Sequence, residues 1–254
     1  MLVDLDIPEN SKWVGMEEDD ALLVGTDKMK TLTNDVDGSE DLDSLIEDIT
    51  DAVITGLADY CRKSGIKQIV LGLSGGIDSA VAACVACAAV GSNNVLGIAM
   101  PSRFSSQHSL DDAEYTAKAL GMEFKIQPID DMHSALEGQI IDVLDNGNPV
   151  ASENIQSRLR GIIVMAHANA QSRMAIATGN KSELAQGYCT LYGDMAGGYT
   201  PLGDLYKMQV YALAEIFNQR AKQNGLKPPV NCLLYTSDAA DDTPCVDLGG
   251  RRII

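Results

Sequence analysis

The chain has 254 residues, 45% of them hydrophobic, and a formal net charge of −17. That apolar content suffices for a packed core, and so acidic a balance excludes nucleic acid as the main partner, since phosphate backbones are gripped by Lys and Arg. No run of about 18 apolar residues occurs and no basic start precedes an apolar stretch, so neither a membrane span nor a signal peptide is expected; six scattered cysteines then read as reduced cytosolic thiols.

The charge is uneven along the chain. Residues 1–50 hold fifteen acids against Lys12, Lys28 and Lys30, a balance of −12, which leaves −5 for the other 204 residues. Segment 1–38 keeps no period of 3.6 or 2 and is expected to be an acidic linker, with an acidic docking tail as the alternative. The main domain is expected over 39–231. Ser39-Glu40-Asp41 can cap a helix, and Leu42, Leu45, Ile46, Ile49, Val53, Leu57 and Tyr60 then recur at spacings of three and four, to an end near Gly65. The apolar run Gln68–Leu73 is a buried-strand candidate. A helix is expected over Asp78–Val90, a strand over Val95–Met100, a helix over Ser109–Leu120 and a strand over Glu123–Ile129. Helices over Asp130–Leu144 and Ser152–Gln171, a strand over Met174–Ala177 and a helix over Tyr206–Arg220 complete the pattern. Strands alternating with helices make this an α/β chain, with a doubly wound parallel sheet flanked by helices.

The main chemical signal follows the first strand. Ser74-Gly75-Gly76-Ile77-Asp78-Ser79 joins a buried strand to a helix. Two glycines admit positive φ and close backbone approach, so the turn and the helix N-terminus can form an anion nest. Ser74 and Ser79 can add hydroxyl donors. The loop has no Walker lysine and is not G-x-G-x-x-G. A carboxylate in a phosphate cradle is repulsive unless a cation intervenes, so Asp78 is best explained as a ligand of phosphate-bound Mg²⁺. The plain alternative is a βα turn whose glycines serve packing. Cys84 and Cys87 form a C-x-x-C, but it sits among small apolar helical residues without a second pair, which reads as core. His108, His133 and His167 are isolated and suggest no metal. Tyr188 and Tyr192 suit base stacking or packing equally.

The loop resembles the pyrophosphate-binding S-G-G-x-D-S loop of the ATP pyrophosphatase superfamily, whose members adenylate an oxygen and release pyrophosphate. Five further segments select a member: Met100-Pro101-Ser102-Arg103-Phe104-Ser105-Ser106, Glu153–Arg160, Ala177-Thr178-Gly179-Asn180-Lys181-Ser182-Glu183, Gly187–Asp194 and Pro201–Lys207. Together with the loop they resemble the NAD synthetases, over about Lys67–Arg220, and most closely the synthetase domain of the glutamine-dependent kind. There a glutaminase domain precedes the synthetase, and segment 1–38 could be its end.

The resemblance implies an adenine nucleotide alpha hydrolase-like fold and the ATP-dependent amidation of deamido-NAD to NAD. ATP adenylates the substrate carboxylate, and ammonia, free or from glutamine, then displaces AMP. It implies ATP contacts from Gly72, Leu73, Ser74, Gly75, Gly76, Ile77, Asp78 and Ser79, with Thr178 and Lys207. It implies Asp78 and Glu183 as the catalytic, Mg²⁺-holding pair, and Asn154, Arg158 and Glu183 facing deamido-NAD. Arg103 is expected near the ATP phosphates. A cytoplasmic homo-oligomer is implied, without nucleic acid or membrane partners. Another adenylating pyrophosphatase, or a nucleotide-binding fragment without turnover, is the alternative. After Asn231 the expected P-S-A-E-L segment is replaced by Cys232–Ile254, which resembles translated sequencing-adapter read-through and is expected to be non-native.

Overall fold

The structure, a computed structural model, describes residues 40–144 and 150–231. The chain divides after Leu45, and the unit from Ile46 onward carries the sheet and its packed helices. The acidic segment 1–38 and the tail 232–254 lie outside the described residues.

Among the described residues four parallel strands form the centre: β1 (Ile69–Gly72), β2 (Val95–Ala99), β3 (Glu123–Ile126) and β4 (Met174–Ala175), in the order β3-β2-β1-β4. Helix α1 (Glu40–Ser64) precedes them. The first two crossovers, α2 (Ile77–Val90) and α3 (Gln107–Leu120), carry the chain from β1 through β2 to β3. The next crossover passes through α4 (Asp130–Gln139), α5 (Ile141–Leu144) and α6 (Val150–Gln171), and returns the chain to the opposite side of β1. The strand order therefore reverses between β1 and β4, the position at which open α/β sheets bind ligands. Among the described residues two helices follow β4: α7 (Lys181–Gln186) and α8 (Lys207–Gln223).

Side-chain alternation splits the core into two layers. Ile69, Leu71, Val95, Ala99 and Met174 face a large cluster with Leu57 and Cys61 of α1, most of α2, and Val210, Leu213 and Ala214 of α8. Val70, Leu96, Ile98 and Ala175 face Ile163, Val164 and Ala168 of α6. The two-residue period of a strand places consecutive residues on opposite layers, so β1, buried on both faces, reads as an unbroken apolar run.

Several boundaries differ from the sequence expectation. Helix α3 starts at Gln107 because Ser106 caps it, its Oγ accepting the Ser109 N–H at 3.1 Å. β3 ends at Ile126, although the Gln127 and Ile129 N–H groups still donate to the Ala99 and Pro101 carbonyls at 2.8 and 3.0 Å. The helix expected over Asp130–Leu144 breaks at Ile140, where Gly138 and two β-branched residues weaken the turn. The six-residue α7 is too short to show a period. Cys84 and Cys87 are buried within α2, and burial pushes Cys87 up to about 11, so both are inert core thiols. No helix among the described residues is long and apolar enough to cross a membrane.

Leu71 is fully buried at the centre of β1. Leu71→Ala is expected to cost about 2–5 kcal/mol of unfolding free energy in a urea titration.

Candidate functional site

The β1–α2 loop is stitched by its own hydroxyls. Ser74 N–H donates to Ser79 Oγ at 3.2 Å, Gly76 N–H to Ser74 Oγ at 3.2 Å, and Ser79 Oγ to the Gly76 carbonyl at 2.9 Å. The serines expected to meet an anion thus also fix the turn. The two glycines differ in duty. Gly75 has φ +87°, and a Cβ there would sit 2.1 Å from the Ser109 carbonyl oxygen. Its missing side chain serves the protein's own packing against α3. Gly76 is extended, at φ −83°, and its nearest obstacle would be Ser74 Oγ at 3.3 Å. It lines a cleft; Gly75 does not.

Asp78, in the first turn of α2, is held from two sides. Lys207 Nζ, at the start of α8, lies 2.6 Å from Oδ2, and Asn180 Nδ2 donates to Oδ1 at 2.9 Å. Asn180 is fully buried and caps α7: its Oδ1 accepts the Glu183 N–H at 3.0 Å, and Glu183 Oε2 accepts the Asn180 N–H at 2.9 Å. Asp78 and Glu183, after neighbouring strands β1 and β4, are therefore joined through one amide side chain. Lys207 N–H donates to Ser182 Oγ at 3.0 Å, tying the start of α8 to the first turn of α7. Lys207 stands behind Asp78, outside the cleft lining.

The cleft, about 810 Å³, opens at the C-terminal ends of the strands. That is room for a nucleotide-sized ligand. Gly72, Leu73, Ser74, Gly76, Asp78 and Ser79 line one side, and Thr178 and Glu183 another. Ile77 is buried in the core beneath the loop. Helix α6 forms a third wall through Asn154, Gln156, Ser157, Arg160, Gly161 and Val164. Asn154 Oδ1 accepts from Thr190 Oγ1 at 2.9 Å. Arg158 is exposed, outside the lining, and its Nε donates to the Leu191 carbonyl at 3.2 Å. Asn154 sits at one edge of the lining stripe, and four residues turn a helix about 40° past a full revolution, which carries Arg158 off that edge. Arg160 is on the stripe. Its Nε donates to the Met100 carbonyl at 3.1 Å, and burial pushes its pKa down, partly offset by Asp130.

The fourth wall is the loop after β2. Arg103 does not reach towards the phosphate loop. Its N–H donates to Asp130 Oδ1 at 2.8 Å, and its Nη2 lies 2.6 Å from Glu137 Oε2 and 3.1 Å from Nδ1 of the fully buried His133. Ser152 Oγ of α6 donates to Glu137 Oε1 at 2.9 Å. The Ser152 and Arg103 hydrogen bonds and the nearby His133 hold the Glu137 carboxyl below its usual range, against a smaller opposing effect of burial. Tyr188 lines the cleft, whereas Tyr192 is 77% exposed, with φ +63°. Asn180 and Arg160 stood in the motifs without a role. The N-x-x-E pattern of a capping box was the available signal for Asn180.

A family model for NAD synthase matches residues 49–242. The chain belongs to the NAD synthase family. It is 54% identical over 161 residues to the glutamine-dependent NAD(+) synthetase of Rhodobacter capsulatus, covering 63% of this chain and 29% of that protein. The glutamine-dependent NAD+ synthetase from Acinetobacter baumannii, solved with ADP, matches with a TM-score of 0.72 at 35% identity, over 77% of this chain and 37% of the other. The NH3-dependent NAD synthetase from Campylobacter jejuni, solved with nitrate, matches with a TM-score of 0.63 at 33% identity, over 72% and 78%. The chain thus spans about three tenths of the R. capsulatus relative's length. The fold is that of this family, adenine nucleotide alpha hydrolase-like.

Gly75→Ala is expected to lower the melting temperature sharply, because a Cβ meets backbone at a left-handed residue. Gly76→Ala is expected to leave it nearly unchanged; parallel thermal melts separate the two. Because the Glu137 pKa is depressed, its stabilisation is full above the unfolded carboxylate's pKa and is lost as pH falls through the folded value. Glu137→Gln should therefore flatten the acid limb of a stability-against-pH curve while changing its shape little near neutrality.

Proposed function

We propose that this chain is the synthetase portion of a glutamine-dependent NAD synthetase, amidating deamido-NAD at the expense of ATP. The observation that carries the reading is the phosphate-type loop at the C-terminal end of β1, opening into one cleft with Asp78, Thr178 and Glu183 at the switch point. The loop has no lysine to follow a γ-phosphate. A cradle of backbone N–H groups at the α2 N-terminus instead suits a pyrophosphate that departs.

In the proposed reaction, the deamido-NAD carboxylate oxygen attacks the α-phosphorus of ATP. The bond to the β-phosphate oxygen breaks and pyrophosphate leaves. Ammonia then attacks the acyl carbon, loses a proton and expels AMP, leaving the amide. The protein's part is to hold carboxylate and α-phosphate in line and to balance the charge between them. The loop backbone and the α2 N-terminus receive the phosphates. Lys207 balances Asp78 and keeps the α2 start against the α8 start. Asn154, in the cleft lining, and Arg158, just outside it, are assigned to deamido-NAD, and Thr178 to ATP.

Asp78 and Glu183 offer hard oxygen donors beside the phosphate loop and would be the residues to hold a Mg²⁺ ion there. When bound, such an ion draws charge from the phosphate oxygens. Ammonia drawn from glutamine by a preceding domain, homo-oligomeric assembly and a cytoplasmic site of action belong to the same reading, carried by family likeness.

The test is pyrophosphate release with ATP, Mg²⁺, ammonium and deamido-NAD, with xanthosine monophosphate as the control acceptor. Release with deamido-NAD alone of the two acceptors supports the reading; release only with xanthosine monophosphate overturns it. Asp78→Asn is expected to lower the rate on the order of 100-fold, the usual effect of removing one group from a charge-stabilising site.

A further inference from the structure

The Arg103–Glu137 cluster lies apart from the phosphate loop and the Asp78–Glu183 pair, yet it controls one wall of the cleft. Phe104 follows Arg103, lines the cleft and is 71% exposed. A bulky aromatic is not left in solvent here by a loose loop. Ser102 N–H donates to Ser105 Oγ at 2.9 Å, Ser105 N–H to the Ser102 carbonyl at 2.9 Å, and Phe104 N–H to Ser102 Oγ at 3.3 Å. The turn is then pinned to α4 by the Arg103 N–H on Asp130 and by the Ile129 N–H on the Pro101 carbonyl at 3.0 Å. The Arg103 guanidinium lies over the Phe104 ring, 5.3 Å from its centroid. Glu137 fixes that guanidinium, and Ser152 of α6 and His133 of α4 fix Glu137.

The geometry points to Phe104 as a stacking wall for the planar heteroaromatic ring of a nucleotide, with Glu137 as the positioning residue that holds Arg103 over the Phe104 ring. The inference rests on the reading of the cleft as a nucleotide site and goes beyond it by naming what the exposed ring is for. An aromatic ring offered to a cleft binds a base through its π-face without needing hydrogen-bond readout. Arg103 tightens the arrangement by its own cation–π contact. Two rings could occupy the wall: the adenine of ATP or a ring of deamido-NAD. The shared chemistry is a flat heteroaromatic ring, and the two ligands distinguish the sources.

The experiment is calorimetric titration of the chain with ATP, with deamido-NAD and with tripolyphosphate, which has phosphates and no ring. Phe104→Ala should weaken one of the two nucleotides about tenfold, within the range of aromatic–base stacking, and leave tripolyphosphate unchanged. Phe104→Tyr should restore binding. Glu137→Ala should weaken the same nucleotide by a smaller factor, about threefold, and again spare tripolyphosphate. A loss for ATP assigns the wall to adenine; a loss for deamido-NAD assigns it to that dinucleotide. Unchanged affinities for both nucleotides, losses shared equally by both, or an equal loss for tripolyphosphate overturn the stacking role. A wild-type chain that binds neither nucleotide overturns the nucleotide-site reading itself, and the stacking role with it.

Discussion

The carboxylate of Asp78, gripped by Lys207 at 2.6 Å and by Asn180 at 2.9 Å, joins three segments far apart in sequence. Asp78 opens α2 directly after the phosphate-type loop, Asn180 caps α7 after β4, and Lys207 opens α8. Each stands at or next to the start of its helix, so fixing one carboxylate fixes three helix starts at once. The pair is mostly buried, with side-chain exposures of 21% for Lys207 and 14% for Asp78, and the Asn180 amide adds one hydrogen bond to the carboxylate. That is the condition under which a partly desolvated ion pair can hold its geometry.

The sheet makes this knot possible. Because the third crossover returns the chain to the far side of β1, the loops after β1 and β4 become neighbours although about a hundred residues separate them. The other walls follow the same logic at lower cost in charge. Helix α6 meets the 190s loop through small residues: a Cβ on Gly193 would lie 2.3 Å from Ser157 Oγ, and one on Gly161 would lie 2.9 Å from the Tyr192 and Gly193 carbonyl oxygens. Close packing there sets where Asn154 meets Thr190 and where Arg160 meets Met100.

Much of this was legible in the sequence, for physical reasons. A strand buried on both faces writes a continuous apolar run, and a glycine pair before an acid at a helix start marks a tight turn; β1, its loop and α2 could be placed on those signals. Rotation along a helix was less legible. Asn154 stands at one edge of the lining stripe of α6, so the drift of about 40° over an i,i+4 step puts Arg158 outside it, whereas Arg160, about 120° round the helix from Asn154, falls within it. The glycines were legible as a pair and not singly, because only tertiary structure brings Ser109 against Gly75. Asn180 could be read as a cap, but its reach to Asp78 depends on a strand pairing that local pattern does not encode. The break at Ile140 and the short α7 escaped because neither is long enough to carry a period.

The most direct test is a double-mutant cycle on the knot: Asp78→Ala, Lys207→Met and the double variant, each unfolded in urea. A hydrogen-bonded, mostly buried charge pair predicts a coupling energy of about 1.5–3 kcal/mol. Single effects that add to within about 0.5 kcal/mol would show that the two residues act independently, and would contradict the claim that Asp78 and Lys207 together set the site.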